Sequence, residues 1–242
     1  MGRFFVRMGL LFLLLAPPSV SPGETGGEGG RGLLFREEFR SLERWEHQTF
    51  PKIDRHSSYS VEQFDGEVCL RAESSASASG ILYRETFSVY EYPKIRWRWR
   101  TDRVYEKGDA RKKSGDDYPL RIYVLFRYDP SRAGILEKVR YEVARLFYGT
   151  YPPHSALNYV WANREHGEKI FPNAYSERAM MILKRGPGDV GSWHTEEADI
   201  LRDYRQAFGE DPPREAGLAL MNDSDDTGEG CTSYVDFIEL YR

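Results

Sequence analysis

The sequence has few cysteines, no long apolar run and no surplus of positive charge, and each shortage excludes a class of protein. Its two cysteines, Cys69 and Cys231, are too few for a disulfide-rich scaffold or a four-cysteine zinc site, and whether they pair is left open. The chain carries 34 basic and 38 acidic residues, a net charge of -4, which argues against a general nucleic-acid binder. A mean hydropathy of -0.63 excludes a polytopic membrane protein.

Catalytic motifs are scarce as well. The five histidines of the chain form no HExxH motif and no paired metal-binding spacing, and they have no GxSxG partner. Asp116 and Asp117 are adjacent acids, but neighbours along a strand point to opposite faces, which makes them a poor general acid–base pair. The sequence therefore favours a protein that binds a ligand over one that transforms it.

The first residues have the layout of a targeting segment. Arg3 and Arg7 precede a short apolar run over residues 8–16, and small residues follow it, as in a secretory signal peptide. A membrane-spanning helix needs about 20 apolar residues, so a permanent anchor is the weaker interpretation. We expect a signal peptide over residues 1–21, a glycine-rich flexible linker over 22–32, and a mature protein in the periplasm or outside the cell.

The remaining chain is rich in strand-forming residues. Aromatic residues make up 14% of the sequence, and flat rings pack well on a pleated surface. Short strand-like segments separated by turn residues predict one all-β domain over residues 33–242, a β-sandwich of the jelly-roll type with a hairpin at Asp65-Gly66. The segments are 33–35, 59–62, 67–71, 80–84, 94–100, 120–128, 158–161, 180–183, 218–221 and 234–240. Apolar residues at helical spacing predict two short helical insertions, over 135–147 and 200–208.

Alternation along the predicted strands gives a candidate ligand-binding face. In the segment 94–100, three arginines, Arg98 among them, face away from two tryptophans, and Asp117, Arg121 and Tyr123 share one face of a later segment. If the two strands were neighbours, these side chains would form one polar network. Guanidinium groups bind carboxylates and other anionic or hydroxyl-rich groups. The alternative is a solvated face on which arginines and acids only neutralise each other.

Two aromatic residues are candidates for a platform on which a sugar ring could stack. Tyr159 and Trp161 share one face of the segment 157–161. Exposed, they would stack on a ligand, whereas buried, they would fill the core. Burial statistics favour the core.

An acidic loop gives the best metal-like pattern. Asp223, Asp225 and Thr227 lie at the first, third and fifth places of a stretch whose sixth place is glycine, which matches the first half of a calcium-binding loop. The twelfth place is Tyr234 instead of glutamate, so an EF-hand is excluded. A structural calcium clip of another type, completed by Asp236 or by the Glu37-Glu38 pair, remains one hypothesis, and a tight acidic turn that caps its own backbone is the other.

These segments, in their order along the chain, resemble a bacterial family of domains of unknown function, family 3047. The motifs that carry the resemblance are YPKIRWRW at 92–99, GDD at 115–117, RIYV at 121–124, LNYVW at 157–161, GSW at 191–193, DY at 203–204, FG at 208–209 and the loop 223–227. The family pattern in that loop is similar to Asp-x-Asp-Asn-Thr, whereas this chain has Asp226 in place of the asparagine, and the helical insertion at 130–150 is extra. The resemblance implies no established activity.

The strand pattern also resembles the concanavalin-type and galactose-binding jelly rolls, whose members often bind or cleave polysaccharides. That likeness is one of fold, which is weak evidence of function. The leading hypothesis is an exported β-sandwich that binds carbohydrate. The alternatives are a polysaccharide lyase or glycoside hydrolase on the same scaffold and a structural envelope protein without a small ligand.

Overall fold

The computed structural model describes residues 32–51, 53–131, 133–136, 138, 141–142 and 151–242. Their strands form two sheets packed face to face, which confirms the predicted β-sandwich class. The strands are β1 Leu33–Glu37, β2 Trp45–Gln48, β3 Ser58–Phe64, β4 Glu67–Ser75, β5 Ala78–Ser88, β6 Lys94–Thr101, β7 Arg121–Phe126, β8 Ser155–Trp161, β9 Ile170–Asn173, β10 Ser176–Arg185, β11 His194–Asp199, β12 Glu215–Asp223 and β13 Gly230–Tyr241. The predicted signal peptide and nearly all of the predicted linker lie outside the described residues.

The two sheets differ in their strand order. The six-stranded sheet runs β11-β6-β13-β4-β3, with β1 paired to the far end of β13. The seven-stranded sheet runs β2-β5-β12-β7-β8-β10-β9. Its pairs are antiparallel apart from β8 and β10, which run parallel and therefore require a crossover connection. This order places β7 and β12 side by side near the middle of the sheet.

The core between the sheets is aromatic. From the six-stranded sheet come Trp97 and Trp99, and from the seven-stranded sheet come Tyr159 and Trp161, all four of them 0% exposed. Their ring centroids are 5.2 Å apart for Trp97–Tyr159 and 5.5 Å apart for Trp99–Trp161. The hypothesis that Tyr159 and Trp161 stack on a ligand is wrong, because both rings fill the space between the sheets.

Two local predictions are confirmed. Asp65 and Gly66 both adopt positive φ angles, 53° and 85°, as a two-residue turn between β3 and β4 requires. Helix α1, Ile200–Phe208, starts where the Asp199 side chain accepts a hydrogen bond from the Arg202 backbone N–H and ends at Gly209. The other predicted insertion, 135–147, lies mostly outside the described residues. No helix of the described residues is long and apolar enough to cross a membrane.

The arginines on the outer face of β6 form ion pairs with acids other than the predicted ones. Strands β6 and β7 lie in opposite sheets, so the acids that precede β7 cannot face the arginines. The ion pairs are Arg96–Glu239, Arg98–Asp236 and Arg100–Asp65, with shortest distances of 2.8, 2.7 and 2.8 Å. The row is thus a charge ladder on the outer face of the six-stranded sheet, and Arg98 takes no part in a site with Asp117 and Arg121.

Candidate functional site

Five aspartates gather at one end of the seven-stranded sheet, where β7 begins and β12 ends. Arg121 opens β7, and its register partner on β12 is Met221, two residues before Asp223. Two loops complete the end of the sheet, one before β7 and one between β12 and β13. The acidic cluster, as we define it, comprises Asp116, Asp117, Asp223, Asp225 and Asp226.

The loop before β7 holds its two aspartates through a tight backbone contact. The Asp109 N–H donates to the Gly115 carbonyl at 2.9 Å. A Cβ atom at Gly115 would lie 2.6 Å from the Asp109 nitrogen, closer than non-bonded atoms can approach, so this position requires glycine. The contact fixes the positions of Asp116 and Asp117, which directly follow Gly115 in the loop.

The loop between β12 and β13 is one helix-like turn. The Gly228 N–H donates to the Ser224 carbonyl at 2.8 Å, and Gly228 adopts a φ of 73°. The same turn directs the Thr227 N–H at Asp117, whose Oδ2 accepts it at 2.6 Å. The two loops are therefore joined through the Asp117 carboxyl group.

Arg121 is buried and fully engaged within the protein. Its Nε donates to Asp223 Oδ1 at 3.0 Å, and its Nη2 donates to Asp223 Oδ2 and, at 2.6 Å, to the Asp116 carbonyl. The Asp116 carboxylate lies 3.6 Å from Nη1, and the guanidinium carbon lies 4.5 Å from the centre of the Tyr118 ring. Asp223, and not Asp117, is thus the principal partner of Arg121.

Asp117 has the most perturbed carboxyl group of the cluster. Its side chain is 0% exposed, and its Oδ1 atom has no hydrogen-bond partner among the described residues. Burial, followed by the nearby charge of Asp223, raises the pKa of Asp117 to about 8, although the hydrogen bond from Thr227 opposes the shift. A buried carboxyl group of this kind needs a proton or a cation for compensation.

The structure gives a set of candidate metal ligands that differs from the predicted set. Oxygen atoms of Asp117, Asp223 and Asp225 lie within 4.8 Å of one another. The loop pattern does not include Asp117 in this group, although the adjacent acids of the GDD motif could have indicated it. Thr227 belongs to the same loop but contacts Asp117 through its backbone. Asp236 is wrong as a ligand, because it lies on the outer face of the other sheet, paired with Arg98.

A second feature lies on the outer face of the seven-stranded sheet, next to the cluster. Such a face usually carries polar residues, but here it is apolar and contains several alanines. Tyr123 and Asn158 lie directly opposite each other on β7 and β8 in its middle. We call this cluster the outer patch; its members are buried apart from the half-buried Tyr123, and they are Leu82, Tyr123, Leu125, Ala156, Asn158, Ala179, Ala219 and Met221.

Two polar side chains define the chemistry of the outer patch. Asn158 is 2% exposed; its Nδ2 donates to the Met180 carbonyl at 3.4 Å, and its Oδ1 has no partner among the described residues. Tyr123 is half-buried and directs its hydroxyl toward the Met221 sulfur at 3.6 Å. Of the six predicted ligand residues, Asp117 and Arg121 therefore lie in the acidic cluster and Tyr123 on the adjoining patch, while Arg98, Tyr159 and Trp161 lie elsewhere.

The architecture defines the class as a two-sheet β-sandwich, and comparison with known families places the chain within that class. Residues 43–239 match the family described as protein of unknown function DUF3047. The chain belongs to this family, which confirms the resemblance read from its motifs. The comparison with curated proteins gives no significant match.

Several solved structures are similar in fold. A family 11 carbohydrate-binding module from Clostridium thermocellum, in complex with a mixed-linked tetrasaccharide, has a TM-score of 0.42 and 10% identity, covering 88% of this chain and 96% of that one. The Trichoderma harzianum endoglucanase 3 of family GH12 has a TM-score of 0.46 and 10% identity, covering 90% and 100%. A Bacillus subtilis protein of unknown function with a galectin-like fold has a TM-score of 0.41 and 11% identity, covering 87% and 96%. Similarity at this level carries no information about ligand or activity.

Proposed function

We propose that this chain is an exported, non-catalytic protein that binds carbohydrate on the outer patch. The observation that carries the proposal is the pair Tyr123 and Asn158, a half-buried aromatic ring beside an amide oxygen without a partner among the described residues. Buried polar atoms are nearly always hydrogen-bonded, so the Asn158 oxygen calls for a donor, and the half-buried Tyr123 beside it is the part of the patch through which a ligand would supply one. A sugar hydroxyl is such a donor.

The surroundings of the pair suit a sugar ring. Ala156, Ala179 and Ala219 are themselves buried, so the half-buried Tyr123 is the member of the patch that a sugar ring would contact. An aromatic ring offers an apolar face to the C–H groups of a sugar, and its hydroxyl supplies a polar contact at the edge. Few, well-placed polar groups on a mainly apolar surface are typical of small-molecule sites.

Binding is favoured over catalysis by the burial of the acidic groups. Asp117 has a raised pKa, as a general acid would, but its side chain is 0% exposed and its Oδ2 accepts from Thr227. Asp223 is equally buried and engaged by Arg121. A general acid must reach the proton acceptor of its substrate, so these groups serve the fold and not a reaction.

A glycan-array screen of the purified protein, followed by calorimetric titration of the best binder, tests the binding role. We expect Tyr123→Ala to weaken binding at least tenfold, because the stacking surface is lost. Tyr90→Ala is the matched control: Tyr90 is 36% exposed, donates to the Pro212 carbonyl and lies away from the patch, so its removal leaves affinity unchanged. Failure of every glycan to bind, or equal affinity of Tyr123→Ala and the wild type, would contradict the proposal.

Export is tested separately. Mass spectrometry of the protein from its native host is expected to find a mature chain that begins between about residue 17 and residue 33, from the signal-peptide layout. An intact Met1 in the cytosolic fraction would contradict export and leave the binding proposal standing.

A further inference from the structure

We propose that Asp117, Asp223 and Asp225 bind one calcium ion at the acidic cluster. This site is distinct from the outer patch, and the inference does not depend on carbohydrate binding. It rests on an unsatisfied buried oxygen, on local charge and on ligand geometry.

The unsatisfied oxygen is Asp117 Oδ1. It is buried in a side chain that is 0% exposed and has no donor among the described residues, while the other oxygen of the same carboxyl accepts from Thr227. Native proteins rarely leave a carboxyl oxygen buried in this state, because the loss of its hydration costs free energy. Asp117 belongs to the group of three residues whose carboxylate oxygens lie within 4.8 Å of one another, so its unsatisfied oxygen indicates a missing partner beside that group.

The charges around this oxygen favour a cation. The carboxyl groups of Asp117, Asp223 and Asp225 have oxygens within 4.8 Å of one another, so their negative charges repel. The guanidinium of Arg121 is engaged by Asp223 and Asp116 instead. A divalent ion at the centre of the three converging carboxyl groups offsets their mutual repulsion. Asp223 Oδ1 accepts from both Arg121 Nε and the Tyr118 N–H, whereas Oδ2 accepts from Arg121 Nη2 and has a second lone pair with which it can bind the ion.

The ligand set selects the kind of ion. The three residues offer oxygen only, with no imidazole or thiolate, which favours a hard cation over zinc or copper. Their oxygens lie within 4.8 Å of one another, which is the largest separation that two ligands of one ion reach when each lies at about 2.4 Å, the usual calcium–oxygen distance. Magnesium keeps several of its waters and is usually bound through one or two carboxylates, so a group of three carboxylates suits calcium better.

The experiment measures calcium content and thermal unfolding of the purified protein without any glycan. After removal of metal with chelator, we expect titration with calcium chloride to raise the melting temperature and metal analysis to find one calcium per chain. A ligand that binds only the native state stabilises it by mass action. Asp117→Asn and Asp225→Asn are each expected to weaken calcium binding at least tenfold, and the use of two variants guards against the misfolding of either one.

Asp236→Asn is the matched control, since that acid lies on the opposite sheet with Arg98 and should leave the calcium-induced shift intact. Three results would overturn the proposal: no calcium-dependent shift in the wild type, equal loss of the shift in Asp236→Asn, or an equal shift with magnesium at the same concentration. Because no glycan is present, these results do not bear on the binding role of Tyr123.

Discussion

Replacing Arg121 with lysine separates a structural arginine from a ligand-binding one. Lysine keeps the charge, but its ammonium cannot reproduce the fork that bonds both oxygens of Asp223 and the Asp116 carbonyl. Two of three hydrogen bonds are lost, each worth about 1.5–3 kcal/mol where a charged group takes part. Lysine keeps the charge of the pair, so the loss comes from the hydrogen bonds, and we expect Arg121→Lys to destabilise the protein by about 3–5 kcal/mol, no more than the removal of a whole partner from a buried ion pair costs.

Thermal and urea unfolding measure this loss. For a chain of about 150–250 residues, each kcal/mol shifts the melting temperature by about 2–4 °C, so we expect a fall of about 6–20 °C. Arg98→Lys is the matched control, because Arg98 makes one 2.7 Å hydrogen bond to Asp236 and its side chain is 31% exposed. Such a pair contributes at most about 1 kcal/mol.

Two results would refute this account of Arg121. One is a destabilisation of Arg121→Lys no larger than that of Arg98→Lys, which would mean that the fork contributes little in the native state. The other is normal stability combined with loss of glycan binding, which would make Arg121 a ligand contact in spite of its burial.

Three further predictions concern other parts of the chain. Gly115→Ala should lower the melting temperature, because the added Cβ would lie 2.6 Å from the Asp109 nitrogen. Gly188→Ala should leave it unchanged, because no neighbouring atom lies within 4 Å of the added Cβ. Thermal unfolding of both variants checks this. Tyr159→Phe should lower the free energy of unfolding by about 1–3 kcal/mol, since the Tyr159 hydroxyl donates to buried Asp203 at 3.1 Å, and urea unfolding measures the difference. Burial, and after it the charge of His56, lowers the pKa of His47 below its ordinary value of 6.5. The unfolded chain therefore binds the proton more readily than the native protein, and the free energy of unfolding falls as the pH drops below 6.5. Urea unfolding at pH 7 and pH 5 should show a smaller fall in His47→Gln than in the wild type.

The sequence predicts the strands inside each sheet, which have a neighbouring strand on both sides, better than the strands at the edges. Segments such as 94–100 and 120–128 alternate or run apolar because the core covers one face, and both form strands. The sequence pattern misses strands β2, β9 and β11. Each is short and polar or irregular, since β9 contains Pro172 and β11 reads HTEEAD, and the first and last positions of a sheet make fewer packing demands on the side chains.

The side chains that contact each strand residue could not be predicted, because they come from distant parts of the chain. Alternation correctly separates Arg121 and Tyr123 from Ile122 and Val124. Yet the carboxylate that holds Arg121 is 102 residues away along the chain, at the end of β12, and no local pattern identifies it. For the same reason Asp117 and Asp225 can be recognised as acids but not as neighbours.

Asn158 shows how the outer patch could have been found from sequence alone. In the segment LNYVW, a core position for Tyr159 and Trp161 requires that Asn158 and Val160 point to the other face. An amide in the middle of an otherwise apolar strand is costly unless its polar atoms find partners, so such a residue indicates a specific contact. Here the Oδ1 atom of Asn158 has none among the described residues, as is true of Asp117 Oδ1 in the acidic cluster. The two proposals assign these atoms to chemically different sites, since an amide oxygen beside an aromatic ring can accept from a neutral hydroxyl, whereas a carboxylate among carboxylates can bind a cation. It follows that the calcium and the glycan experiments examine independent properties of this fold.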